Sequence, residues 1–310
     1  MSAPTVAAPR RAGHRAGKTA GQPKKKPIRP ARIALHAFLI LVTVSFLFPL
    51  LLAFYTSFRT HGDTDLHGYF SLPEALTLDN YVNAFVNGNM PLYFGNTILI
   101  TIPAIVLILG LSSMVAFGLA RFRLPGRKVL LVVFVAGNLL PPQIMLTPLY
   151  RIYNLIPLPE WMSDSQVLYD SYWGVIAIHV AFQIGFCTFV LTNYMEVLPK
   201  ELTESALVDG AGAWRQFTSI IMPLCRPPLA ALATLEFTWI YNDFLWALVL
   251  MSSGDKRPIT SALNNLKGEF FVDNNLLAAG SLIIALPTMI VYFALQKQFI
   301  SGLTLGANKG

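Results

Sequence analysis

Glu236, Trp239, Asp243 and Trp246 have the types and spacing of a recognition surface. At about 100° per residue they fall within an arc of roughly 80° on one helix, with Asn242 at its margin. Carboxylates and amides exchange hydrogen bonds with hydroxyl groups, and indole faces stack on the apolar side of a pyranose ring. The stripe lies in an otherwise apolar run, where an ionisable group faces a cavity or a partner. The competing reading is that these groups hold helices together, as polar side chains in spans often do. Asn138, beside Pro141-Pro142, and Gln183, four residues after His179, are further polar groups in apolar runs, open to the same two readings.

Bond-making chemistry is not indicated. The five histidines (14, 36, 61, 67 and 179) form no metal-ligand spacing, and Cys187 and Cys225 sit in or beside apolar stretches as small packing residues. No catalytic residue and no metal site is expected. Gly17-Lys18-Thr19 ends like a phosphate loop, but Gly13 is one residue too close and no strand precedes it. The chain is therefore expected to hydrolyse no nucleotide itself.

The elements that must position the stripe are membrane spans. Apolar residues make up 54% and charged residues 13% of the 310, against about a quarter charged in soluble domains. Six spans are expected, at about 33–55, 94–120, 129–149, 172–194, 228–251 and 276–299, the third bending at Pro141-Pro142. The first is too long for a signal core and is followed by no small-residue cleavage site. Residues 1–32 are expected to be a disordered basic tail, and 301–310 a short tail. Of 23 Lys and Arg, 18 fall in the tail, the turn after span two, residues 195–227 and the C-terminal end. That asymmetry predicts that both termini and the 195–227 segment are cytoplasmic. The tail's charge thus orients the chain, and no basic surface with interleaved aromatics exists for nucleic acid.

A polar island, 198–227, interrupts the apolar runs. Leu198, Leu202 and Ala206 recur every four residues, so they line one face of a short helix. Asp209-Gly210 supplies its stop, because glycine accepts a left-handed backbone. A second helix is expected to restart near Ala213 and run into the membrane. Together they would make a rigid knob.

Glu204-Ser205-Ala206, then Asp209-Gly210-Ala211, Phe217 and Pro223, resembles the EAA loop of permease subunits of ABC importers, with Ser205 where alanine is usual. Leu119-Ala120-Arg121-Phe122 with Pro125-Gly126, Asn242-Asp243-Phe244-Leu245-Trp246 and the closing Ile300–Gly310 segment look like the MalG branch of carbohydrate permeases. The resemblance covers about residues 33–310. It implies an all-α integral membrane protein of MetI-like fold, six-span, in the bacterial inner membrane, with a cytoplasmic coupling helix that docks on an ATPase. It further implies a MalF-like second permease, two MalK-like ATPase subunits holding ATP and magnesium, and an extracytoplasmic sugar-binding protein. No cofactor is expected in this chain. Glu204 would bond across the ATPase groove or cap the knob, Gly210 permits the turn, and Ala206 and Ala211 allow close approach. The loop Gly254–Pro258 would face the binding protein, either to help dislodge sugar or as a solvated connector. The rival classes are an autonomous secondary transporter or channel, which would want paired repeats and a coupling-ion site, and a membrane-embedded enzyme.

Overall fold

The computed structural model describes residues 30–267 and 272–304, with side chains for 31–267 and 272–296. In chain order the helices are α1 (Pro30–Ser57), α2 (His61–His67), α3 (Asp79–Asn87), α4 (Met90–Arg121), α5 (Arg127–Asn138), α6 (Pro142–Leu155) and α7 (Tyr172–Val197). There follow α8 (Glu201–Val208), α9 (Ala213–Gln216), a π-helical turn (Phe217–Ile221) and α10 (Met222–Leu224). The last are α11 (Arg226–Tyr241), α12 (Leu245–Leu250), α13 (Ala262–Asn265) and α14 (Asn274–Thr304). Among the described residues there is no strand, only the isolated bridges Arg59–Leu76 and Pro157–Val167.

Two compact units divide the chain, Met1–Pro49 and Leu50–Gly310. In the first, the described residues are the opening turns of α1, whose Ile33, Phe38, Leu41 and Phe46 are all exposed. Such a surface suits lipid or an apolar partner rather than water. Among the described residues four helices (α1, α4, α7 and α14) are long and apolar enough to cross a membrane, or up to six spans if each of two bent pairs counts as one.

The second unit is built on α4 packed against α7. Ile100, Ala104 and Ile108 of the first and Val175, Ile178 and Leu191 of the second are buried in one cluster. Lipid is as apolar as these side chains, so close packing and interhelical hydrogen bonds hold them. Ser112 Oγ donates to the Ile184 carbonyl at 3.2 Å. Gly185 admits α5: a Cβ there would stand 2.6 Å from the Phe134 carbonyl oxygen. A smaller cluster joins Met90 and Tyr93 of α4, Tyr241 of α11 and Ile284 of α14.

Both bends have local causes. Helices α5 and α6 meet at 95° across Leu139–Pro141, where proline has no N–H to continue the ladder. The segment 213–224 meets α11 at 75° around Cys225, ahead of Pro227 and Pro228. The helix restarting at Ala213 therefore does not run straight into the membrane. Nor is 228–251 one helix: α11 ends at Tyr241 and α12 begins at Leu245. Asp243 causes the restart, accepting the amides of Trp246 and Ala247 at 3.3 Å each. Helix α14 continues to Thr304, and the rest of the closing motif, 305–310, lies outside the described residues, as do 1–29.

Residues 56–93, which fall between the first two expected spans, are ordered by buried polar groups to which Asn275 is tied. Fully buried Arg59 donates through Nε to Asp63 at 2.8 Å and through Nη2 to Ser71 Oγ at 2.8 Å. Asn80 and Asn275 each donate to the Arg59 carbonyl, at 2.7 and 2.9 Å.

Candidate functional site

Three residues after α7, the chain enters α8, and the helix stop at its end is closed by the backbone alone. The Ala211 amide donates to the Ala206 carbonyl at 2.8 Å, and the Gly210 amide to Leu207 at 3.0 Å. This is the paired pattern of a Schellman stop, with Gly210 at φ +77°. Asp209 is the C-cap residue. Ala206 and Ala211 are buried, and Gln216 Nε2 donates to the Ala211 carbonyl at 2.7 Å. Phe217 anchors the elbow on α4 through the ring of Phe117, centroids 5.4 Å apart.

Leu207, Val208 and Trp214 are left in the open, 67%, 88% and 65% exposed. The sequence reading passed over these three; their signal was apolar residues standing inside a polar island. Glu204 is exposed as well. It lines a cleft of about 860 Å³ between α8 and the turn joining α4 to α5, together with Arg121, Arg123, Arg127, Lys200 and Thr203. Ser205 is exposed and its hydroxyl turns back to the Leu202 carbonyl at 3.4 Å.

Along α11, the break after it and α12, all four residues of the stripe meet α7. Cys187 Sγ lies 3.2 Å from Glu236 Oε1, Trp239 packs on Phe186, His179 Nε2 stands 3.6 Å from Asp243 Oδ2, and Trp246 packs on Phe182. The helix break thus leaves them on one face, but a face largely closed by its neighbour. Glu236 is fully buried and Trp246 nearly so, while Trp239 is 47% exposed and Asn242 is exposed. Asn242 bonds back to the Thr238 carbonyl at 2.8 Å. Asn138 bonds back to the Phe134 carbonyl at 3.1 Å, close to Gly185. Gln183, on α7, has a buried Oε1 with no protein hydrogen bond. Among the described residues no three His, Cys, Asp or Glu side chains are grouped to hold a metal.

At the opposite end from the elbow, segment 254–258 is tied down. Asn96 Nδ2 donates to the carbonyls of Asp255 and Arg257 at 2.6 and 3.0 Å, and Lys256 pairs with Asp164 at 2.7 Å. Asp170 accepts from the Ser252 and Ser253 amides at 2.8 and 2.9 Å and from Ser253 Oγ at 2.6 Å. Burial works to raise the Asp170 carboxyl, but these bonds and the Lys256 charge outweigh it and hold it below the usual range.

Comparisons with known proteins agree with this architecture. The family model described as the inner membrane component of binding-protein-dependent transport systems matches residues 108–304. The diacetylchitobiose uptake system permease protein NgcG of Streptomyces coelicolor is 31% identical, the match covering 87% of each chain. The maltodextrin transport system permease protein MdxG of Bacillus subtilis is 30% identical, over 90% of this chain and 96% of its own. Among solved structures, a chain of a bacterial ABC transporter involved in importing the acidic polysaccharide alginate superposes with a TM-score of 0.74. It is 21% identical, and the match covers 89% of this chain and 100% of that one.

Proposed function

This chain belongs to the binding-protein-dependent transport system inner membrane components, and from that membership we propose how it works and what it carries. It is the permease subunit of an ABC importer, contributes half of a transmembrane pathway, and passes a mono- or oligosaccharide delivered by an extracytoplasmic binding protein. A second permease completes the pathway, and two ATPase subunits supply the ATP and magnesium chemistry; this chain holds no nucleotide. The elbow face is cytoplasmic, as are both termini.

The observation that carries the reading is the backbone-closed elbow holding Leu207, Val208 and Trp214 in the open. Exposed apolar side chains at a rigid corner mark a protein interface. Docking of an ATPase there lets nucleotide-driven closure push α8, and α8 follows α7 after only three residues. Helix α7 carries the packing of α4, α5 and α11, so its tilt rearranges the bundle. The 75° corner at Cys225 would turn the same push into a movement of α11. On the cargo side, Trp239 and Asn242 keep surface available to a sugar; Glu236, Asp243 and Trp246 set the α11–α7 contact that presents them. Gln183 belongs to α7, and Asn138 stands beside Gly185 at the neighbouring α5–α7 contact.

The sugar assignment rests on relatives whose names specify diacetylchitobiose and maltodextrin. Its test is uptake of a panel of labelled saccharides into vesicles holding this chain with its permease, ATPase and binding-protein partners. ATP-dependent accumulation of a saccharide supports the reading. Accumulation by this chain without any ATPase subunit would replace it with the secondary-transporter alternative.

A further inference from the structure

The cleft between α8 and the α4–α5 turn does not follow from docking an ATPase. Its rim gathers Arg121 from the last turn of α4, Arg123 from the turn, Arg127 from the first turn of α5 and Lys200 from the α7–α8 link, with Glu204 as the carboxylate. Two of these cations are already engaged. Arg121 donates twice to the Leu198 carbonyl at 3.3 Å, and Arg127 pairs with Glu196 and donates to the Leu119 carbonyl at 3.0 Å. Arg123 and Lys200 are exposed, and among the described residues neither forms an ion pair. Arg121 Nε is buried with no protein hydrogen bond.

These groups sit where three spans end, which is headgroup depth on the elbow face. Phe122, Leu124 and Leu207, also lining the cleft, are 47%, 47% and 67% exposed. A surplus of positive charge beside open apolar side chains suits a molecule that is anionic at one end and apolar at the other. We propose that this cleft binds the phosphate headgroup of an anionic lipid, bridging the α4–α5 turn to α8. Basic pockets between spans on the cytoplasmic side are favourable for such headgroups. The bound phosphate would face Arg121, Arg123 and Lys200, while the chains run outward along Phe122 and Leu124. Glu204 limits the net charge, so a single phosphodiester is the expected guest. The inference rests on the membrane reading above and not on the identity of the cargo.

The test uses the purified full chain in nanodiscs of phosphatidylcholine with a minor fraction of phosphatidylglycerol. Lipid retained after transfer to detergent is read by native mass spectrometry. The wild type should hold one phosphatidylglycerol in preference to phosphatidylcholine, and Arg123→Ala/Lys200→Ala should weaken that preference on the order of tenfold. Arg123→Lys/Lys200→Arg, which keeps the charge, should restore it and guards against a folding defect. Equal retention of both lipids, or a preference that the alanine pair leaves unchanged, would overturn the proposal. Millimolar inorganic phosphate offered to lipid-free micelles separates the two phosphate sources. Saturable binding there that the alanine pair abolishes, without lipid preference, would assign the cleft to a soluble phosphate and reject the lipid. Failure of the chain to insert in nanodiscs at all would instead contradict the membrane reading.

Discussion

At the elbow, three apolar side chains stand in the open while the backbone closes on itself; on α11, a carboxylate is fully buried against Cys187. Each region inverts what its surroundings favour, but only Glu236 meets a partner within the chain, and only through Oε1, its Oε2 having no protein hydrogen bond. The elbow is stiffened by the Ala211–Ala206 and Gly210–Leu207 hydrogen bonds, which involve no side chain. Its outer surface is therefore left over for another molecule. On α11 and α12 the side chains themselves close the contact with α7, so little of the stripe remains available. Polarity in a span signals that something must satisfy it, not that the something is cargo.

Substituting Gly210 should break this contrast most severely. Proline holds φ near −65° and has no N–H, whereas Gly210 sits at +77° and donates to Leu207. Gly210→Pro should cost about 3 kcal/mol locally and reduce ATP-driven uptake to background, with membrane abundance unchanged by immunoblot. Gly210→Ala, strained by about 1 kcal/mol, should give intermediate uptake. Normal transport by the proline variant would remove the elbow from the coupling path.

The exposed side of the elbow is tested by changing Leu207, Val208 and Trp214 together to serine. Because all three are exposed, the melting temperature of the isolated chain should hold, while ATPase capture weakens on the order of tenfold or more. Unchanged capture would mean that the partner docks elsewhere.

Glu236 distinguishes packing from cargo recognition on the other side of the comparison. If it sets the α11–α7 contact, Glu236→Gln should transport normally and Glu236→Ala should lose on the order of 2 kcal/mol of stability to the void. Equal loss of uptake in both variants, with stability unaltered, would return Glu236 to direct contact with sugar.

The smallest effect is expected at Asp63, in the buried network around Arg59. The hydrogen bond from Arg59 holds the Asp63 carboxyl below its ordinary range, aided by the arginine charge. A lowered folded value stabilises above the unfolded value of about 3.9, and that stability is lost as pH falls through the folded value. Asp63→Asn should therefore lower the melting temperature by a roughly constant amount at neutral pH, the difference shrinking in acid below about pH 4. A difference that grew on acidification would show that Asp63 is not held in its charged form.

The long apolar helices and the Pro141-Pro142 bend were legible because apolarity and proline act over a few residues. Gly210 was legible for the same reason: an Asp-Gly step after a short amphipathic run stops a helix whatever surrounds it. The break at 242–244 was not, although Asp243 has an N-capping side chain. In an apolar run its carboxylate reads equally as a mid-helix group, and only the amides of Trp246 and Ala247 decide otherwise. The order within 56–93 was hidden too, since Arg59 reads as a lone loop charge until Asp63, Ser71 and two asparagines close around it.

What residue order alone determined about this protein was its solvent, the Pro141-Pro142 bend and the elbow, each a consequence of local hydropathy or backbone freedom. Which polar groups were consumed and which left open was decided only when distant segments met. The four-residue stripe points one way on any helix, but its exposure depends on α7, 49 to 64 residues earlier in the chain. The cleft of Arg121, Arg123, Arg127 and Lys200 likewise exists only because three span ends converge. Burial is a property of pairs of surfaces, and no single segment carries it.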